Sequence, residues 1–465
     1  MKKLGIGIAA AVVVLLAGGA GTSYVMGGKV QEGFEATAKD WSKPPLAIQV
    51  QSYERGLFSS TAKTMWTVNT GDEQLQFTAT HAISHGPWPR GHAAEIATRF
   101  AFSPDAPPEL ISLYKDKTPL KWNTQVGWGK TSQHQLSSPA VAGQFEKDKL
   151  SFGGLTADFE MSADLKGMKG QAALPLLQIE STVASADELD DADAGEAINV
   201  VIKGNTMRFD VNQPAGQEFM VGNVKWVLAD FNSQPKFGGE PVQFSGLSMD
   251  IDTKLEGEVV NTAINTGIQQ LTLPKRKISD IAVDLGLRNL DAGWLNQFTK
   301  HSQQAQGNPQ AMQALLLGGM QQLLARKPVL ELKRASWRSE EGQSELSAAV
   351  SYQGDGSQGL NPATDIQANA KLAMPKPVLQ ALFSSRVRDA IIADNEGDED
   401  YEPQALADMV QEDVQGRISL LLQSGVLQEQ DGKVSTQLEY TGGEVKANGK
   451  VLDQEGLMGL MAAMP

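Results

Sequence analysis

The segments STAKTMWTVNT (residues 60–70) and QLQFTATHAI (residues 74–83) alternate between residues that favour a core and residues that favour water. Successive side chains of a β-strand point to opposite faces, so a period of two predicts half-buried strands. The sequence HGPWP at 85–89 ends the second strand, because proline cannot donate a hydrogen bond to a neighbouring strand. These stretches predict a sheet that buries one face and leaves the other wet.

Further alternating stretches follow, and one of them recurs. SFGGLTADFEMS at 151–162 and QFSGLSMDIDTK at 243–254 place equivalent residues 92 positions apart. Chance similarity among amphipathic strands is one interpretation. The other, which we favour, is that two related β-meanders stack into a longer sheet.

The second half of the chain adds helices to the strands. Helical spacing of apolar residues predicts helices at 291–304, after Asn308, at 375–393 and after Glu402. Strands at 278–287 and hairpins at 329–352 and 434–451 lie between or after them. The predicted fold class is therefore α+β, with long, mostly antiparallel sheets of repeated meanders and helices covering one face in the second half.

The first residues predict a membrane anchor. Residues 4–26 carry no charge, and about 20 helical residues span a bilayer core of roughly 30 Å. A cleaved secretory signal is the alternative, with small residues near Gly18 for cleavage. Lys2 and Lys3 favour a cytoplasmic amino terminus. Both interpretations therefore place the residues after the apolar segment on the far side of the membrane. The predicted domains are an anchor at 1–28, a β-rich region at 29–275 and an α+β region at 276–465.

The amino-acid composition excludes some classes of binding partner for the residues after the anchor. The chain has 465 residues, a net charge of −15 and no cysteine. Its acidity argues against binding nucleic acid, and the missing cysteines exclude disulfides and thiolate metal sites. Small residues such as Gly5, Gly7 and Gly18 in the anchor predict self-association of the helix.

No catalytic or cofactor-binding motif stands out. The sequence lacks a G-x-S-x-G elbow, a phosphate-binding G-x-x-x-x-G-K-[ST] loop and H-E-x-x-H. His81 and His85 are four residues apart on a predicted strand, about 13 Å, which is too far for one metal ion. The acidic segment 394–400 fails the calcium-loop pattern and is interpreted as a solvated linker. We expect no enzyme activity, no cofactor and no metal.

Three short motifs resemble the YdgA-like family (DUF945). They are the segment with Tyr53, Arg55, Gly56, Leu57 and Phe58; the triplet His85, Gly86 and Pro87; and the pair Asn448 and Gly449. The resemblance implies an inner-membrane protein of Gram-negative bacteria with a periplasmic body. It brings no reaction and no catalytic residues.

Arg55 is the most suggestive polar residue of these motifs. It suits a phosphate or a carboxylate at a strand end, although a structural role is favoured.

Two function classes remain open, with an enzyme as a distant third. One is an envelope assembly or scaffold protein with a closed core. The other is a carrier of lipid or another amphiphile in an apolar β-groove, since the repeated strands behind one helix also resemble AsmA-like envelope proteins in architecture. Fold alone does not choose between them.

Overall fold

The computed structural model describes most of the chain beyond the predicted anchor. The described residues are 34–35, 38–39, 42, 45–55, 59–69, 74–85, 92–145, 148–182, 198–237, 239–302, 309–354, 360–394 and 403–463. The predicted anchor at 1–28 and the acidic segment at 395–400 lie outside them. Among the described residues, no helix is both long enough and apolar enough to cross a bilayer.

Antiparallel strands dominate the structure, with most helices in the second half, as predicted. The chain divides into two compact units, residues 1–248 and 249–465, and the division falls inside strand β13 (Val242–Glu256). The predicted domain limits at 28/29 and 275/276 stay predictions.

The first unit contains twelve described strands before β13 and the helix α1 (Pro108–Tyr114), and residues 34–35 and 38–39 are also helical. The strands are β1 (Leu46–Arg55), β2 (Ser59–Asn69), β3 (Gln74–His85), β4 (Ala94–Phe102), β5 (Leu120–Val126), β6 (Ser132–Ser138), β7 (Val141–Phe145), β8 (Asp148–Phe152), β9 (Leu155–Met161), β10 (Gly167–Ser181), β11 (Ile198–Asn212) and β12 (Val221–Pro235).

The strands of the first unit pair in a regular antiparallel series. β1 to β6 pair in chain order, β6 pairs with β9, and β9, β10, β11 and β12 continue the series. The hairpin of β7 and β8 joins through β10. Strict alternation of buried and exposed residues along β2, β6 and β9 shows that one face is a core and the other faces water.

The core of the first unit is aromatic. Trp66 packs edge-on against Phe100 and Trp122, with ring centroids 5.3 and 6.4 Å apart. Aromatic pairs in this geometry contribute beyond the area they bury. Buried aliphatic side chains from β1, β3, β6 and β9 complete the cluster.

The two copies of the predicted repeat differ in structure. Gly154 and Gly246 occupy equivalent positions, and both have positive φ, +89° and +64°. In the first copy the chain breaks there into β8 and β9, whereas the second copy is the continuous strand β13. The copies therefore share a left-handed glycine but not a strand pattern.

The second unit continues after β13 with nine described strands and seven described helices. The strands are β14 (Val259–Leu273), β15 (Arg276–Asp291), β16 (Val329–Ser339), β17 (Gly342–Tyr352), β18 (Ile366–Pro375), β19 (Gln428–Gln430), β20 (Lys433–Thr441), β21 (Glu444–Ala447) and β22 (Lys450–Val451). The helices are α2 (Ala292–Ser302), α3 (Pro309–Gly318), α4 (Met320–Ala325), α5 (Pro362–Asp365), α6 (Lys376–Asp394), α7 (Pro403–Gln423) and α8 (Gln454–Ala463).

The sheet of the second unit is also an antiparallel series. β14 to β18 pair in chain order, β18 pairs with β20, and β20 pairs with β19 and β21. Helices α6, α7 and α8 form a core with one end of this sheet, where Met374 and Val434 are buried. The helices therefore cover part of one face.

The helix predicted after Asn308 is broken in the structure. It forms α3 and α4, which are separated by Gly319, where a side chain would collide with the Trp294 ring. Leu324 is buried, but Leu316 and Met320 remain 40% and 37% exposed. Burial along this segment is therefore greatest near its end, at Leu324.

Two glycines offer a matched test of the fold. A methyl group at Gly170 on β10 would overlap the backbone of Asp158 and Phe159, whereas one at Gly416 on α7 would meet nothing within 4 Å. We expect Gly170→Ala to lower the free energy of unfolding by about 1–3 kcal/mol, and Gly416→Ala to raise it by up to about 1 kcal/mol. Urea unfolding of the full chain measures both, and equal effects would contradict the described strand pairing.

Candidate functional site

The main candidate site is one face of the second unit's sheet, here called the apolar face. Register places its side chains in two rows that cross five strands, β15, β16, β17, β18 and β20. The rows are Leu287, Leu330, Val350, Ala368 and Tyr440, and Leu285, Leu332, Ala348, Ala370 and Leu438. The alternation of strand side chains puts both rows on one side of the sheet.

The apolar face is only partly covered. Leu372 and Leu438 pack against the helical core of the second unit. Farther along the same face, Leu330 is 54% exposed and Val350, its partner in register, is 43% exposed. Alanines 348 and 370 lie side by side in the second row, so this part of the face carries only short side chains.

The opposite face of this sheet is charged and internally paired. Arg334 lies 2.9 Å from Asp284, Arg338 lies 3.1 Å from Asp280, and Arg288 pairs with Glu331. Exposed pairs of this kind contribute little stability individually, but they mark a face that stays in water. The sheet therefore has one wet side and one apolar side.

Two hydroxyl groups interrupt the covered part of the apolar face. Ser344 is fully buried, and the Oγ1 atom of Thr436 is buried as well. Among the described residues, neither hydroxyl has a hydrogen-bond partner. An unsatisfied buried hydroxyl costs about 1–3 kcal/mol, so a polar group that enters here would gain a hydrogen bond.

The amino-terminal motif residues are described only in part. Tyr53 and Arg55 lie on β1, and His85 is the last residue of β3. Arg55 pairs with Ser60 at the start of β2. The preceding residue, Ser59, pairs with Ser84 near the end of β3. Arg55 and His85 therefore lie at the same end of the sheet. Gly56, Leu57, Phe58, Gly86 and Pro87 lie outside the described residues.

Tyr53 and Arg55 have different surroundings. The Tyr53 ring lies 5.7 Å from the Phe34 ring. Its hydroxyl is buried without a hydrogen-bond partner among the described residues. Arg55 is exposed. The structure therefore gives Tyr53 a packing role and leaves Arg55 accessible.

Asn448 and Gly449 form a turn in the second unit, between β21 and β22. Both have positive φ, +51° and +81°, which suits an Asn-Gly turn. The Asn448 carboxamide accepts a hydrogen bond from the Gln437 backbone at 2.9 Å and donates to the carbonyls of Gly425 and Val426 at 2.9 and 3.1 Å. Asn448 thus ties the final hairpin to the residues that follow α7.

Sequence reasoning missed the environment of two histidines in the first unit, because it considered His81 only as a metal ligand with His85 and assigned no role to His134. His81 is hydrogen-bonded to Thr64 at 2.8 Å and to Thr98 at 2.9 Å. His134 is hydrogen-bonded to Thr124 and Ser132, and it stacks on Phe159 with centroids 4.7 Å apart. The signal was their position in strands that alternate buried and exposed residues.

Both histidines are neutral in the folded protein. Burial lowers the pKa of His81 and of His134 to about 4. The indole Nε1 of Trp122 can only donate, and it lies 3.2 Å from Nδ1 of His134. The proton of His134 therefore sits on Nε2, toward Ser132, and the ring serves as a polar element of the core.

Comparison with known proteins identifies a matching protein family and a similar protein from Escherichia coli. The profile of the family described as bacterial protein of unknown function (DUF945) matches residues 1–455. The chain is 22% identical to Protein YdgA of Escherichia coli strain K12 over 460 residues, which covers 90% of this chain and 87% of that protein.

The Asn448 contacts predict a large effect from a small substitution. Asn448→Ala removes three hydrogen bonds and places alanine at a positive φ, so we expect a loss of about 1–3 kcal/mol in the free energy of unfolding. Asn448→Gly removes the same hydrogen bonds but tolerates the positive φ, so comparison of the two variants separates the loss of the hydrogen bonds from the backbone strain. Thermal unfolding measures both variants. Unfolding temperatures equal to that of the parent would show that the Asn448 contacts do not stabilise the final hairpin.

The buried histidines predict pH-dependent stability. Their folded pKa lies below the unfolded value, so the unfolded chain binds more protons between about pH 4 and 6.5. Stability is therefore complete above pH 6.5 and falls as the pH drops, by about 2 kcal/mol per histidine at pH 5.

Urea unfolding at pH 7 and pH 5 measures this loss. His134→Gln is less stable than the parent at pH 7 but should lose less on going to pH 5. An equal loss in parent and variant would show that the histidines are not its source.

Proposed function

The chain belongs to the DUF945 family of bacterial proteins of unknown function, and on that premise we propose that it is a cell-envelope binding protein. It holds an acyl chain or another amphiphile on the apolar face of its second unit. The observation that carries the proposal is the pairing of Leu330 with Val350, two large apolar side chains that remain about half exposed within continuous apolar rows.

The chemistry of the apolar face suits a hydrocarbon chain. Its two rows present mostly aliphatic side chains from five strands, with alanines between larger leucines. Burial of each CH₂ group contributes about 0.8 kcal/mol, so contact with several methylenes is enough for useful affinity. The opposite face is unsuited to bind a hydrocarbon chain, because its charged side chains are hydrated and form ion pairs.

The covered end of the face supplies a stop for the ligand. Helices α6 and α7 close over Leu372 and Met374, and the buried hydroxyls of Ser344 and Thr436 lie on the same side of the sheet. The closed core would stop one end of an amphiphile, while the chain extends along the open part of the face toward Leu330.

The proposal includes a membrane location. The uncharged residues 4–26 serve as an inner-membrane anchor, the body lies in the periplasm, and the anchor helices self-associate through small residues. This placement brings the apolar face near a source of lipid. Within the part of the chain that the structure describes we find no residue set that suggests catalysis, and binding rather than turnover is the role we propose.

A scaffold role is the second candidate. The helical core around Met374, Val410 and Val434 is fully closed, as a purely structural domain requires. In that case the open part of the apolar face would have no ligand, and lipid would not accompany the protein.

A charge on the open part of the face separates these functions. Val350→Asp puts a carboxylate among the apolar rows, while Ser347→Asp puts the same charge on β17 opposite Lys371 on the wet face. Because Val350 is already 43% exposed, we expect Val350→Asp to fold, with an unfolding temperature within a few degrees of the control. It should lose most of its bound lipid.

The measurement is native mass spectrometry of full-length protein extracted in mild detergent, with solvent extraction of the same samples. Parent and Ser347→Asp should retain lipid, and Val350→Asp should not. Lipid absent from the parent, or retained equally by both variants, would reject acyl-chain binding and favour the scaffold.

A further inference from the structure

A second feature lies on the wet face of the first unit, away from its aromatic core. Register aligns Asp158, Gln171, Arg208 and Lys225 in one row across β9, β10, β11 and β12. The adjacent row consists of Thr156, Ala173, Thr206 and Val227. Together the two rows line a depression of about 330 Å³.

The shape of the depression follows from its residues. Ala173 has the shortest side chain of its row and lies between two threonines, so it forms the floor. Arg208 and Gln171 rise beside it, and both also border a neighbouring depression that Lys169 and Asp210 line. The walls therefore carry hydroxyl, amide and guanidinium groups that point away from the core.

Arg208 and Lys225 are an unusual pair in this acidic chain. They lie directly opposite each other on antiparallel strands, an arrangement in which like charges repel. Among the described residues, neither forms a hydrogen bond or an ion pair. The nearby carboxylate of Asp210 is already taken by Lys169, at 2.7 Å.

We propose that Arg208 and Lys225 form a binding site for a phosphate group. An anion between them would replace repulsion by two charge-assisted contacts, and the planar guanidinium of Arg208 suits two phosphate oxygens at once. The hydroxyls of Thr156 and Thr206 and the amide of Gln171 offer further donors.

Asp158 defines the other end of the site. It lies two strands from Arg208, about 10 Å away at the usual strand spacing. A carboxylate there repels a second phosphate but accepts a hydrogen bond from a hydroxyl or ammonium group. The ligand class is therefore a phosphate ester with a polar group beyond it, either a free organophosphate or a lipid headgroup. This site does not depend on the acyl-chain proposal.

The test uses the full-length protein in a nonionic detergent. Glycerol 3-phosphate is titrated calorimetrically as the free phosphate ester, and mixed micelles with phosphatidic acid present the same group on a lipid. Arg208→Gln and Lys225→Gln remove the two cations. Lys203→Gln is the matched control, because it removes one exposed charge from β11 outside the depression.

We expect the parent and Lys203→Gln to bind alike, and each site variant to bind about tenfold or more weakly. The variants should unfold at or above the parent's temperature, since each removes a like-charge contact. Binding of glycerol 3-phosphate assigns a free phosphate ester, and binding of phosphatidic acid micelles alone assigns a lipid headgroup. Binding of neither, or equal losses in Arg208→Gln and Lys203→Gln, would overturn the site.

Discussion

Antiparallel strand pairing is the constraint on which the rest of this structure depends. Once the register of β15 to β18 is set, each side chain is committed to one of two faces. The ion pairs of Arg334 and Arg338 lie on one face, which is therefore exposed to water. The other face then carries the aliphatic rows, and helices α6, α7 and α8 cover only part of it. The open apolar rows are thus a direct consequence of register and of limited helical cover.

The first unit uses the same pairing with a different result. Its inner face is closed, and buried histidine, threonine and tryptophan side chains satisfy one another's hydrogen bonds across β2 to β6. A network of this kind tolerates burial because each polar group has a partner and each histidine is neutral. Arg208 and Lys225, which have no ion-pair partner among the described residues, lie on its outer face. One unit therefore offers an apolar surface and the other a cationic one.

Much of this arrangement could be predicted from the sequence. Alternation located β2 and β3 closely, and the segment HGPWP marked the end of β3, at His85. The close approach of Gly319 to the Trp294 ring was missed because the two residues are 25 positions apart in sequence. The apolar rows and the cation pair were missed for the same reason: register decides which residues of different strands become neighbours, and no single segment carries that information.

Photo-crosslinking is the most direct test of the claim that the apolar face holds a hydrocarbon chain. A benzophenone amino acid in place of Leu330 reports contact on the apolar face, and one in place of Lys371 reports contact on the wet face of the same sheet. After irradiation of cells that produce the full-length protein, the account predicts a lipid adduct in the mass spectrum of the 330 variant alone. Equal adducts at both positions, or none at position 330, would contradict it.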